Sequence, residues 1–159
     1  MNMKTLAGVL TLSCGATCLS ATSGFAAGAG AHCQDVGGGV LTNFLDPTHT
    51  EGTSSGDIKG AVGVQILSIN GNVYHVQHHW VTESGDTIYV KDAFLTAFPT
   101  SDPNRVLADY LKGVDIIGGT GRYDGATGTL FAFGGVDLKL GQITLRYAGT
   151  VCFQPVPSR

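Results

Sequence analysis

From Asp57 to Phe153 the chain is a succession of segments rich in Val, Ile, Tyr and Phe, separated by compact turn signals, and none sustains a 3.6-residue apolar period. That pattern excludes a helical core and calls for an all-β fold. Asn70-Gly71 is the strongest turn signal, because a two-residue hairpin loop needs positive φ at both positions and Asn and Gly tolerate it. It joins a strand near Ile58–Ile69 to one near Val73–Glu83. Ser84-Gly85 leads into a third strand over Thr87–Phe98, and Pro99 and Pro103 mark a loop. Further strands follow at Val106–Ile117, Thr129–Leu140 and Ile143–Phe153. Strands joined in order by short turns favour an up-and-down antiparallel sheet, and closing it into a barrel removes the edges that invite aggregation. Upstream, Asp35–Gly56 is rich in Gly, Thr and Ser; Leu41, Phe44 and Leu45 give one short strand candidate and Asp46-Pro47 a turn.

The run Gly118 to Gly128 packs five glycines and a short polar insert between two of these strands. As a phosphate cradle it fails on context, because it lacks a following helix and the next Lys is Lys139. Its glycines instead permit tightly bent backbone, with Tyr123 and Ala126 packing inward to plug the turn. The pattern Gly119-Thr-Gly121-x-Tyr123-x-x-Ala126-x-Gly128, with Gly125 inside it and an alternating strand after it, resembles the allene oxide cyclase-like and dirigent-like β-barrels. The similarity covers Asp57 to Phe153 and is nearest to small exported bacterial members of unassigned activity. It implies an eight-stranded antiparallel barrel of calycin-like shape, often trimeric, with an apolar cavity. No motif transfers the plant cyclases' catalytic positions onto this sequence.

At the other end, Lys4 followed by an apolar stretch from Leu6 to Leu19 and small A-x-A residues has the layout of a secretory signal peptide, residues 1–31, cleaved after Ala26, Ala29 or Ala31. The stretch is interrupted by Ser13, Gly15, Thr17 and Ser20 and is too short to span a bilayer, so no membrane span is expected. Residues 32–159 then form one domain that is secreted or periplasmic. That mature chain has eight basic and twelve acidic residues, a formal charge of minus four, which argues against a nucleic-acid partner. Its two cysteines, Cys33 and Cys152, meet an oxidising compartment and are expected to form a disulfide closing a loop of about 120 residues. A reactive thiol is the alternative.

The most polar strand carries His75, His78, His79 and Trp80. Same-face neighbours on a strand are about 6.8 Å apart, so His75 and His79 stand roughly 13 Å apart and His78 points the other way. No metal site is expected, and no cofactor motif is present. Counting outward from Asn70-Gly71 and Ser84-Gly85 collects Val62, Val64, Ile66, His75, Gln77, His79, Val81, Ile88, Val90, Asp92 and Phe94 on one face. Being the more aliphatic, this face is read as the interior, with Gln77 opposite Asp92 and His75 and His79 on its diagonals. Ala61, Tyr74, Val76, His78, Trp80, Tyr89 and Ala93 fall outside, where an apolar patch would favour a homo-oligomer, a trimer or dimer.

His75, Gln77, His79 and Asp92, with Tyr147 from the last strand, are thus the candidate ligand contacts. Asp92 with His75 or His79 forms a candidate acid–base pair. Mutual hydrogen bonding of these groups within a filled barrel is the plain structural alternative. Three functions follow: carriage of a small apolar molecule, a cofactor-independent cyclase or isomerase, and an interaction module of the cell envelope. A void of about 300 Å³ or more separates the first two from the third.

Overall fold

The structure, a computed structural model, describes residues 30–155; all but the last two residues of the expected leader, with the cleavage sites at Ala26 and Ala29, lie outside that range. Ten strands form one antiparallel sheet: β1 His32–Phe44, β2 His49–Gly56, β3 Gly60–Asn70, β4 Val73–Thr82, β5 Thr87–Val90, β6 Ala93–Pro99, β7 Arg105–Asp109, β8 Val114–Gly119, β9 Thr127–Asp137 and β10 Gln142–Phe153. β5 with β6, and β7 with β8, are each a single stave broken in the middle, since β4 pairs with both β5 and β6 and β9 with both β7 and β8. Eight staves therefore run in chain order around a closed up-and-down barrel, and β10 returns to β1 to close it. None of the described helices is long and apolar enough to cross a membrane.

The two staves that open the barrel are largely hidden in the sequence. Only a short strand is expected within Asp35–Gly56, yet β1 and β2 occupy nearly all of it. Their inward positions include small or polar residues such as Gly38, Thr42, Thr50 and Ser54, so the alternation carries little hydrophobic contrast. Gly38 is small for a reason of packing: a Cβ there would run into the Tyr147 ring and the Ser55 carbonyl oxygen. The ends are joined by Cys33–Cys152, which face each other in the β1–β10 register.

The β3–β4 hairpin corrects the expected facing of β4. The turn residues are Gly71 and Asn72, flanked by the pair Asn70↔Val73, and β3 carries a bulge between Ile66 and Ser68. Gly71 has φ +61°, so the turn still uses a residue that tolerates positive φ. The net slip of one residue turns all of β4 over. Val76 and Trp80 are buried inside, with Tyr74 and His78 on the same face, whereas His75, Gln77, His79 and Val81 face outward. Burying Tyr74, Val76 and Trp80 stabilises more than burying two imidazoles and an amide, and that preference overrides the Asn-Gly dipeptide. On β3 and β5, Val62, Val64, Ile66, Ile88 and Val90 point inward as expected. The break at Lys91–Asp92 then inverts the alternation, so Ala93 and Leu95 point inward and Asp92 and Phe94 do not.

The glycine-rich run forms the connection from β8 to β9. It contains a single 3₁₀ turn, Gly121–Tyr123, and Tyr123 and Ala126 are buried as a plug. Gly121 has φ +55°, and a Cβ on it would strike the Asp86 carboxylate. With Val36, Ile58, Ile88, Ile116 and Val151, the plug packs this end of the barrel into a solid floor.

Replacing both cysteines by Ser removes a cross-link spanning 119 residues. Stability measured by urea unfolding is expected to fall by up to about 5 kcal/mol. An unchanged unfolding midpoint would show that the β1–β10 ladder sets closure alone.

Candidate functional site

Above the floor the barrel interior opens into a cavity of about 140 Å³. Its wall is mainly aliphatic, including Val40, Val62, Val64, Val76, Val136 and Leu145, with Phe44, Tyr74 and Leu138 among its aromatic and larger side chains. The volume lies below the ~300 Å³ typical of drug-sized sites and close to that of an engineered apolar cavity that accepts benzene.

A few polar groups interrupt this wall, and most are fully engaged. Trp80 Nε1 donates to Ser54 Oγ at 2.9 Å, and the indole meets the Tyr147 ring edge-on at 5.6 Å. The Tyr147 hydroxyl accepts the buried Ile58 N–H at 2.9 Å and donates to the Ser55 carbonyl oxygen at 2.9 Å. Burial pushes its phenol upward. Tyr147 therefore lines the cavity but spends its hydroxyl on clamping the chain between β2 and β3 to β10.

His78 is different. Its Nε2 lies 2.8 Å from the Tyr110 hydroxyl, while its Nδ1 is buried without a partner among the described residues. Tyr110 comes from the break between β7 and β8, held by its N–H to Ala132 and its carbonyl oxygen to the Gly113 N–H. The accessible part of His78 lines the cavity. Burial holds the imidazole down to about 4, with neighbouring His79 lowering it further and Asp92 opposing, so the ring is neutral at pH 7. Burial also pushes the Tyr110 phenol well above its ordinary value. One more polar atom, Thr50 Oγ1, is buried without a protein partner. Thr50, Val64 and His78 occupy one cross-strand row, Thr50↔Val64 and Val64↔His78, which puts both orphaned atoms at one level of the barrel.

The residues expected to meet in the interior do not reach it. His75 and Asp92 do come together, Nε2 to Oδ2 at 3.4 Å, with His75 stacked on Phe94 at 4.9 Å, but on the outer wall. Gln77 and His79 point the same way as His75, and none of the four lines the cavity. The pairing of His75 with Asp92 follows from the His75↔Phe94 register; the face was inverted by the hairpin slip. Trp80, expected outside, is a buried element of the cavity wall. His78 was discoverable by weighing Tyr74, Val76 and Trp80 as a buried set, which carries His78 inward with them. Among the described residues, no three His, Cys, Asp or Glu side chains gather closely enough to hold a metal ion.

No family model matches the chain, and no curated protein does. Among solved structures it is similar to that of a pterocarpan synthase dirigent protein, at 12% identity, covering 82% of this chain and 90% of that one with a TM-score of 0.36. A likeness that loose carries no argument, and the eight-stranded barrel stands on the strand pairings themselves.

The depressed His78 value has a measurable consequence. Its affinity for a proton is centred near pH 6.5 in the unfolded chain and near 4 in the folded one. The unfolded chain therefore binds more protons between these values. Stability is full above pH 6.5 and falls by roughly 3 kcal/mol as the pH drops to about 4. Urea unfolding at pH 7 and pH 4 checks this, and the His78→Phe variant should lack that part of the slope. Equal slopes in both proteins would place the proton uptake elsewhere.

Proposed function

We propose that this protein is an exported barrel that binds or sequesters a small apolar molecule. The observation that carries the reading is the apolar cavity of about 140 Å³ above a solid floor. It falls short of the ~300 Å³ expected of a carrier, which restricts the ligand to a small one, but the centre is not packed as an interaction module with a filled interior requires. A barrel of this size can fill its centre with side chains, and here the upper half does not. Export is supported by the signal-peptide layout and by Cys33–Cys152, a bond that persists in oxidising compartments. The motif at Gly119 to Gly128 is consistent with the same reading through the barrels it resembles.

A second reading, a cofactor-independent isomerase, draws on one observation: His78 and Tyr110 form a hydrogen-bonded, proton-carrying pair in an apolar site. In such a site a neutral imidazole can accept a proton and a phenol can polarise an oxygen. Homo-oligomerisation is supported by the outer wall, where Phe131 and Phe133 stand more than half exposed on β9 and Leu107 likewise on the adjoining β7. Light scattering of the purified protein should then give at least twice the monomer mass, and a monomeric mass at working concentration removes this part.

The binding reading is tested by co-purification. Mass spectrometry of a lipophilic extract should show a compound enriched over a denatured control. Val64→Phe, which places a ring in the cavity, should abolish the enrichment while the fold survives at a cost of about 1–3 kcal/mol. No enriched compound in the wild-type extract, or undiminished enrichment in the variant, counts against the cavity as the binding site.

A further inference from the structure

Resting on the binding reading, we propose that the molecule held in the cavity is uncharged, about the size of one six-membered ring, and carries one acceptor oxygen that pairs with His78–Tyr110. Charge is the first constraint. Among the described residues, no Asp, Glu, Lys or Arg lines the cavity. A carboxylate or ammonium placed there would lose its water and find no counter-charge, a cost of several kcal/mol. His78 supplies no compensating charge, because burial keeps it neutral.

Size is the second constraint. A volume of about 140 Å³ matches the cavity that accepts benzene and excludes a fused polycyclic skeleton. The third constraint is a count of protons. A neutral imidazole and a phenol bring two exchangeable hydrogens, and the bond between them uses one. If Tyr110 donates to Nε2, the spare donor is Nδ1–H; if Nε2–H donates to Tyr110, it is the phenolic hydrogen. In either tautomer the pair keeps one donor that no protein group accepts. Nδ1 and Thr50 Oγ1 are closed off from the cavity space, so a carbonyl, ether or alcohol oxygen reaches the pair through the phenolic hydrogen of Tyr110, which lines the cavity.

The test uses Trp80, the one tryptophan of the chain and part of the cavity wall, as an intrinsic fluorescent reporter, with calorimetry as the second readout. Three probes share one ring: cyclohexanone, methylcyclohexane and cyclohexanecarboxylate. At pH 7.5 the first two should bind, and the carboxylate at least about 100-fold more weakly than the ketone. In the double variant His78→Phe/Tyr110→Phe, ketone affinity should fall about tenfold relative to methylcyclohexane. The wild-type comparison needs no variant, so a variant that does not fold leaves the charge test intact.

Carboxylate binding within tenfold of the ketone overturns the proposal and leaves the binding reading standing. An unchanged ketone-to-alkane ratio in the folded double variant overturns the role of the pair. Failure of all three probes to bind overturns the size and class assigned here, while the co-purification result still judges the binding reading.

Discussion

The pairing of β1 with β10 is the constraint on which the rest of the barrel depends. It runs from His32↔Phe153 to Asn43↔Gln142 and contains the Cys33–Cys152 bridge, joining positions 119 residues apart. Such a ladder forms only after the entropy of closing a long loop has been overcome, and each pair then adds to the return. Without it the sheet would have two open edges and an apolar inner face exposed to water. Tyr147 of β10 lies over Gly38 of β1 and hydrogen-bonds Ile58, so the closing strand also fixes the approach to β3. The cavity is a product of this closure, because Val40 and Leu145 line it from the two strands that meet there.

What could be read in advance followed hydrophobic contrast. The strands from β3 onward announce themselves through Val, Ile and aromatic content between turn residues, and the inward residues of β3 and β5 are where alternation places them. β1 and β2 do not, since Gly38, Thr42, Thr50 and Ser54 face inward on strands whose role is to leave room. The site was misplaced for a different reason. Moving the turn from Asn70-Gly71 to Gly71-Asn72 shifts the register by two and keeps the facing; the unpaired Leu67 of the β3 bulge shifts it back by one and inverts it, and local turn chemistry does not announce that bulge. The facing is decided by the side chains of the strand that follows, through the burial of Val76 and Trp80.

The interior is divided into two regions with different work to do. Around Ile58, Tyr123, Ala126 and Val151 the packing is dense and the polar groups are matched, including the Tyr147 clamp. Around His78 and Tyr110 the packing is incomplete and polar atoms lack partners. Dense packing and open space thus occupy opposite ends of one barrel, an arrangement that lets the upper cavity vary without loosening the floor. The outer pair of His75 and Asp92 belongs to neither region: with Phe94 stacked against the imidazole, it is a feature of the exterior wall.

The broken staves have a dynamic consequence. β5 pairs with β8 only as far as Val90↔Ile116, and β6 with β7 only from Thr96↔Asp109. Between these points a single backbone bond, Lys91 N–H to the Asp115 carbonyl, joins the two staves, so the wall there is a slit rather than a continuous ladder. The His78–Tyr110 contact lies behind it and bridges from β4 to the far stave. With few bonds to break, this is the stretch where breathing of the barrel costs least, and it borders the cavity. The least tightly laddered stretch of the wall is thus the one spanned on its inner side by the His78–Tyr110 hydrogen bond.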